Sequence, residues 1–138
     1  HTNDKIVELA KNIEFDKIAA IESRGFVFAS TVSYQLEKPF ILLRKKNKLP
    51  AEVHSVDFEL EYGTAEIEVH EDVIKPGSRI LIHDDLLATG GTAAAAAEIV
   101  KMQKAEVCGF SFLVILEFLK GREALIKFTK NIEGLACY

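Results

Sequence analysis

The chain has 138 residues and a formal net charge of −4, with 49% hydrophobic and 28% charged side chains. Such a chain is long enough for one globular domain, and its composition is that of a folded protein rather than a disordered one. The acidic balance argues against a domain that tracks nucleic-acid backbones. No apolar run approaches the roughly 20 residues that a membrane helix needs.

The two cysteines, Cys108 and Cys137, lie far apart in apolar surroundings. Their spacing matches neither a disulfide framework nor a zinc site, which predicts buried thiols in a reducing, cytoplasmic compartment. The only methionine is Met102 and the chain opens at His1, so we expect an N-terminally shortened piece of a longer protein. The four histidines lack metal-ligand spacing and are predicted to be structural or exposed.

Helices and strands alternate along the predicted chain. Apolar residues three and four apart indicate helices, short continuous apolar runs indicate buried strands, and strict alternation indicates a hairpin. The first predicted element is an amphipathic helix of about three turns, with capping residues at 2–4 and apolar residues at 6, 9, 10 and 13. The elements that follow are a strand over 17–21, a helix over 26–36, a strand over 40–43, a hairpin over about 53–70, a strand over 79–83, a helix over 93–102, a strand over 107–116, a helix over 121–128 and a strand over 132–137.

This alternation predicts an α/β fold with a mostly parallel, twisted sheet and helices on both faces. The antiparallel hairpin, with one wet face, is inserted into it. Ligands of such sheets bind beyond the carboxyl ends of the strands. Three polar loops follow predicted strand ends, at 22–25, 44–48 and 84–92, and we expect them to converge.

The most specific motif runs from Ile80 to Thr92: an apolar strand, two acids, a small-residue loop and a helix start. The loop over 88–92 can present backbone N–H groups and two hydroxyls to one phosphate, and the helix dipole favours the same charge. Asp84 and Asp85 would be repelled by that phosphate but suit vicinal hydroxyls such as those of a ribose. The simpler alternative, acids that merely cap a helix, explains less of the pattern.

With this motif the sequence resembles the type I phosphoribosyltransferases over nearly its whole length. Four segments carry the resemblance: Asp84–Thr92, Ser23–Phe26, Arg44–Pro50 and Leu60–Gly63. It implies the fold of that family with an inserted flap hairpin, in a single core domain of residues 1–138. It also implies that the family's N-terminal hood segment, which covers the base, is lacking.

The resemblance assigns roles to individual residues. Ribose 5-phosphate would bind at Ala88, Thr89, Gly90, Gly91 and Thr92, and the ribose hydroxyls at Asp84 and Asp85. Pyrophosphate would bind at Glu22, Ser23, Arg24, Gly25, Arg44, Lys45 and Lys48. Glu61 and Arg24 would be catalytic, Glu61 and Tyr62 would form the flap tip, and Leu86 would pack on the base. Each assignment has a simpler alternative: a surface turn for 22–25, a solvated basic loop for 44–48, a solvated hairpin tip for Glu61 and Tyr62, and an ordinary core leucine for Leu86.

The implied activity is purine salvage, in which adenine and 5-phosphoribosyl 1-pyrophosphate give AMP and pyrophosphate. The resemblance also implies Mg²⁺ held mainly by the substrate, with no metal bound directly by the protein, and a homodimer. In the 6-oxopurine branch an acid precedes the Thr-Gly pair, whereas this chain has Ala88, which cannot exchange a proton and so favours adenine. Two alternatives stay open: a transferase for another base (xanthine, uracil or hypoxanthine/guanine), and a non-catalytic purine-sensing regulator. Neither nucleic acid nor a membrane is an expected partner.

Overall fold

The computed structural model describes residues 2–11, 13–21, 25–45, 53–60, 63–70 and 74–138. Helices and strands alternate within these ranges. The helices are α1 (Thr2–Lys11), α2 (Gly25–Leu36), α3 (Gly91–Met102) and α4 (Gly121–Leu125), with a 3₁₀ turn at Glu117–Leu119. The strands are β1 (Lys17–Ile21), β2 (Phe40–Lys45), β3 (Val53–Leu60), β4 (Gly63–His70), β5 (Arg79–Leu87), β6 (Glu106–Ile115) and β7 (Ile132–Cys137).

The strands form one sheet in the order β3-β4-β2-β1-β5-β6-β7. The five strands from β2 to β7 in this order pair in parallel. The hairpin of β3 and β4 is antiparallel and joins the sheet through an antiparallel pairing of β4 with β2. The predicted parallel α/β sheet with an inserted hairpin is therefore confirmed. β1 and β5 lie side by side at its centre, where the strand order reverses.

The two faces of the sheet are buried by different helices. On one face, five consecutive alanines of α3 (93–97) pack with Ile80 and Ile82 of β5, and all are at most 3% exposed. Alanine has high helix propensity and no bulk beyond Cβ, so this helix can lie close to the sheet. On the other face, Leu81 packs with apolar residues of α1 and α2. Alternate residues of β5 thus serve opposite cores.

A polar cluster fixes the amino ends of the two central strands. The backbone N–H of Arg79 donates to Asp16 Oδ2 at 2.8 Å, and Arg79 Nη2 donates to Asp16 Oδ1 at 3.1 Å. Arg79 Nη1 also reaches Glu14 at 3.1 Å. These hydrogen bonds lower the pKa of the Asp16 carboxyl, and the bond from the Arg79 backbone has the largest effect. The cluster holds β1 in register with β5. It therefore also fixes how the carboxyl ends of these two strands lie relative to each other.

Several predicted boundaries are wrong. The strand predicted over 79–83 continues to Leu87, because Leu86 and Leu87 pair with β6. The strand predicted over 40–43 continues to Lys45, because its last two residues pair with β4. The helix predicted over 93–102 already begins at Gly91, and the one over 121–128 ends at Leu125.

The cysteine prediction needs one correction. Cys108 is half-buried and donates its thiol to the Ile80 carbonyl at 3.2 Å, and burial raises its pKa to about 11. Cys137 is exposed rather than buried, because it is the last residue of β7 at the edge of the sheet. Across the described ranges, none of the helices has the length and apolarity to cross a membrane.

Candidate active site

The candidate site lies where three neighbouring parallel strands end. Ile21, the last residue of β1, is level with Leu43 of β2, and Ala20 is level with His83 of β5. Strands that run parallel in register present their carboxyl ends at one edge of the sheet. The segments that follow β1, β2 and β5 therefore begin close together, at the position where the strand order reverses.

The two acids lie inside β5 rather than after it. Asp84 pairs with Phe112 of β6, and both carboxylates are only partly buried. The backbone N–H of Asp85 donates to Asp84 Oδ1 at 2.8 Å, a local bond that limits the rotation of the Asp84 side chain. The acids thus stand on a paired strand of the central sheet, which holds them more rigidly than the predicted loop would.

The turn from β5 to α3 is short and ends in a glycine with a positive φ. Gly90 has φ +91° and ψ −1°, the left-handed region that favours glycine. A Cβ at this position would lie 2.7 Å from the Gly121 carbonyl oxygen and 2.9 Å from the Ala124 Cβ. Gly90 is also the N-cap of α3, with no side-chain capping bond there. The first turn of the 12-residue helix therefore faces the loop over 88–90 with its backbone donors, the arrangement that suits a phosphate.

β2 brings a cation to the same edge. The Arg44 guanidinium lies 5.8 Å from the centroid of the Phe26 ring, in the first turn of α2. Arg44 Nε is buried and has no hydrogen-bond partner in the described part of the chain. Arg44, in the predicted 44–48 segment, therefore lies beside the residue that directly follows the predicted 22–25 segment.

Two adjacent leucines of β5 differ sharply in exposure. Leu87 is 1% exposed and belongs to the core beneath α3, whereas Leu86 is 40% exposed. Leu86 is therefore not an ordinary core leucine, and its packing on the base stays a prediction. Ala88 and Thr89 follow directly and are partly buried.

His83 was not predicted to belong to the site. It is 2% exposed, and its Nδ1 lies 3.3 Å from the Ser111 hydroxyl of β6. Burial lowers the pKa of His83 to about 4, against smaller raising effects of the Asp85 charge and the Ser111 backbone. The signal available in the sequence was a histidine that ends an otherwise apolar strand run directly before the two acids.

Some predicted site residues lie outside the described residues. They are Glu22, Ser23, Arg24, Lys48, Glu61 and Tyr62. For Gly25 and Lys45, the structure gives the backbone: Gly25 opens α2 and Lys45 ends β2. The acids, the 88–92 segment, Leu86 and Arg44 are all at the carboxyl edge of the sheet.

Comparison with known proteins decides the family. A family model described as the phosphoribosyl transferase domain matches residues 3–130. The chain belongs to the phosphoribosyltransferase family. A relative from Pelagibacter ubique (strain HTCC1062), named adenine phosphoribosyltransferase, is 61% identical over 132 residues, which are 96% of this chain and 75% of the relative.

Solved structures of adenine phosphoribosyltransferases support the same family and the same fold. The adenine phosphoribosyltransferase of Thermoanaerobacter pseudethanolicus superposes with a TM-score of 0.94 at 41% identity, covering 99% of this chain and 78% of the other. The enzyme from Saccharomyces cerevisiae, solved with an imino-altritol bisphosphate and adenine, gives a TM-score of 0.85 at 35% identity, covering 96% and 78%. The predicted family and fold are thereby confirmed.

Proposed function

We propose that this chain forms AMP and pyrophosphate from adenine and 5-phosphoribosyl 1-pyrophosphate. The observation that carries the proposal is the β5–α3 connection. Two carboxylates are followed, within a few residues, by a glycine-capped helix N-terminus at the reversal point of a parallel sheet. The relatives at high identity and coverage that are named for adenine support adenine as the base.

The 5-phosphate of the substrate would bind at Ala88 to Thr92. The left-handed Gly90 and the first turn of α3 supply backbone N–H donors, and the positive end of the helix dipole adds to them. Thr89 and Thr92, both partly buried, add two hydroxyl donors. A phosphate in this position would keep its negative charge apart from the Asp84 and Asp85 carboxylates.

The ribose hydroxyls would bind to Asp84 and Asp85. A carboxylate accepts hydrogen bonds from vicinal hydroxyls, and such charge-assisted bonds are stronger than neutral ones. Because both acids stand on β5 where it pairs with β6, substrate binding does not have to order them. The sugar would thus be held between its phosphate and its hydroxyls, with its anomeric carbon unblocked.

The reaction breaks the bond between the anomeric carbon and a pyrophosphate oxygen and forms a bond from that carbon to a purine ring nitrogen. Positive charge builds on the ribose ring while pyrophosphate takes the bonding electron pair. Arg24, Arg44, Lys45 and Lys48, with the backbone of 22–25, would stabilise the leaving group. Mg²⁺ enters as part of the substrate, bound mainly by pyrophosphate oxygens and water, and neutralises some of that charge.

The base would pack on Leu86, whose exposed side chain is next to the ribose acids. Glu61, which with Tyr62 would form the flap tip, would accept the proton that the purine nitrogen loses, and closure of the flap would exclude water. Ala88 stands where 6-oxopurine enzymes have an acid, so it offers no group to the ring of hypoxanthine or guanine. Of the alternatives, neither another base nor a non-catalytic regulator is favoured by the relatives.

The enzyme would act as a homodimer in the cytoplasm. Val27 and Tyr34 lie seven residues apart on one face of α2 and are 63% and 85% exposed, which gives an apolar surface that a second copy would cover. The distant, free Cys108 and Cys137 suit a reducing compartment. Light scattering of the native chain and of Tyr34→Glu tests the dimer, since the charged variant should dissociate.

The site assignment is tested with Asp84→Asn and Asp85→Asn in an assay of adenine-dependent AMP formation. Each variant loses a charge-assisted hydrogen bond worth about 1.5 to 3 kcal/mol, so the KM for phosphoribosyl pyrophosphate should rise about 10- to 100-fold. Glu133→Gln, at an exposed acid of β7, is the matched control and should change nothing. Wild-type KM in both aspartate variants would remove the ribose assignment.

A further inference from the structure

His83 is a polar residue at a core position of the central sheet. Among the residues whose side chains the structure describes, His83 and Ser111 are the two buried polar ones, each 2% exposed. His83 lies between Ala20 of β1 and Ser111 of β6 in the sheet register. A β-branched apolar residue would fit such a position with no polar group to satisfy.

The ring is only half satisfied. Nδ1 is 3.3 Å from the Ser111 hydroxyl, while Nε2 is buried and has no hydrogen-bond partner among the described residues. A neutral imidazole has one donor and one acceptor nitrogen, so either tautomer leaves one of them without a bond. Burying an unsatisfied nitrogen destabilises the fold, which points to a role that an apolar side chain would not fill.

A polar group on which the His83 ring can act is Asp85, two residues further along β5. Residues two apart on a strand share a face, at about 6 to 7 Å between Cα atoms, and His83 and Asp85 are so related. The negative charge of Asp85 acts on the ring, whose pKa burial nonetheless lowers to about 4. The ring therefore stays neutral at pH 7 and offers Asp85 a fixed dipole rather than a counter-charge that would compete with the ribose.

We propose that His83, anchored to Ser111 through Nδ1, is a positioning residue whose Nε2 edge orients the Asp85 carboxylate for the ribose. This inference rests on the proposed function, since it assumes that Asp85 binds a ribose hydroxyl. It assigns to Ser111 the part of fixing the ring, so that the effect of His83 on Asp85 does not vary with ring rotation.

The experiment compares three variants that keep different parts of the ring. His83→Val removes both nitrogens, His83→Asn keeps a polar group at the Nδ1 position, and His83→Gln keeps one at the Nε2 position. We expect His83→Val and His83→Asn to raise the KM for phosphoribosyl pyrophosphate about 5- to 10-fold with kcat within about twofold, and His83→Gln to stay near wild type. Ser111→Ala, which leaves β5 unchanged, should raise that KM about 2- to 3-fold.

A substrate series separates positioning from a general structural role. Two analogues of phosphoribosyl pyrophosphate, each lacking one ribose hydroxyl, are assayed with wild type and His83→Val. With the analogue that lacks the hydroxyl bound by Asp85, the two proteins should have the same KM. A rise that is equal for all substrates, or equal for the Val, Asn and Gln variants, would overturn the proposal.

Asp85→Asn distinguishes the failure of this inference from the failure of the proposed function. If Asp85→Asn raises the KM and every His83 variant has wild-type KM, the ribose assignment stands and the positioning role falls. If Asp85→Asn also has wild-type KM, the positioning role falls, and the ribose assignment falls with it only if Asp84→Asn has wild-type KM as well. Circular dichroism of each variant checks folding, and Ser111→Ala alone decides the matter if the His83 variants do not fold, because wild-type KM in it contradicts the anchoring.

Discussion

Acid should destabilise this protein partly through His83. Its pKa is lowered from 6.5 to about 4 by burial, so the unfolded chain takes up a proton below about pH 6.5 while the folded chain does not. The unfolded state is therefore favoured as the pH falls from 6.5 towards 4. Between pH 7.5 and pH 5 these two pKa values give a loss of about 2 kcal/mol in the free energy of unfolding, rising to about 3 kcal/mol at still lower pH.

The measurement is urea unfolding of wild type and His83→Val at pH 7.5 and pH 5.0. Carboxylates that titrate in this range act on both proteins, so the difference between the two pH dependences isolates the histidine. Wild type should lose about 2 kcal/mol more than His83→Val over this interval. Ser111→Ala retains the buried imidazole and should keep the acid sensitivity of wild type. Equal pH dependence of wild type and His83→Val would refute the buried, neutral histidine.

Two further expectations concern the loop and the base. Gly90→Ala should lower the free energy of unfolding by about 2 to 4 kcal/mol, from the left-handed φ and the crowding of its Cβ. Gly77→Ala, at φ +82° with open space around the Cβ, is the matched control, and its free energy of unfolding should fall by only about 1 to 2 kcal/mol. Equal losses in the two variants would contradict a contribution from crowding at Gly90. Leu86→Ala should raise the KM for adenine about 5- to 10-fold with little change in stability. Leu87→Ala, at 1% exposure, should cost about 2 to 5 kcal/mol instead; an unchanged adenine KM in Leu86→Ala would remove the base-packing role.

Most of the elements, and the loop between β5 and α3, were predictable from the sequence because their signals are local. Apolar runs mark the buried strands, and the order of acids, glycines and threonines marks the loop. The end of β5 was misplaced because two aspartates are poor strand formers, and what keeps Asp84 in the strand is its pairing with Phe112 of β6. That pairing partner lies 28 residues away, which a local pattern does not include.

Contacts between residues distant in sequence also explain two other differences between the sequence predictions and the structure. Arg44 was assigned to a loop, but its pairing with Glu68 of β4 extends β2. The role proposed for His83 depends on its burial, on the Ser111 hydroxyl of another strand and on the charge of Asp85. A histidine among apolar residues has no pattern that distinguishes a core position from a site, so only the folded arrangement reveals it.

In the proposed function, the β5–α3 connection serves transfer of a phosphoribosyl group to adenine. The most direct measurement is pyrophosphate release from phosphoribosyl pyrophosphate and Mg²⁺ with adenine, hypoxanthine, guanine, xanthine and uracil in turn, with the nucleotide product identified. We expect AMP formation with adenine, and kcat/KM for each other base lower by about 100-fold or more, as when a site leaves polar groups of the wrong base unpaired. Faster turnover of hypoxanthine than of adenine, or tight substrate binding with no base-dependent release of pyrophosphate, would contradict an adenine transferase.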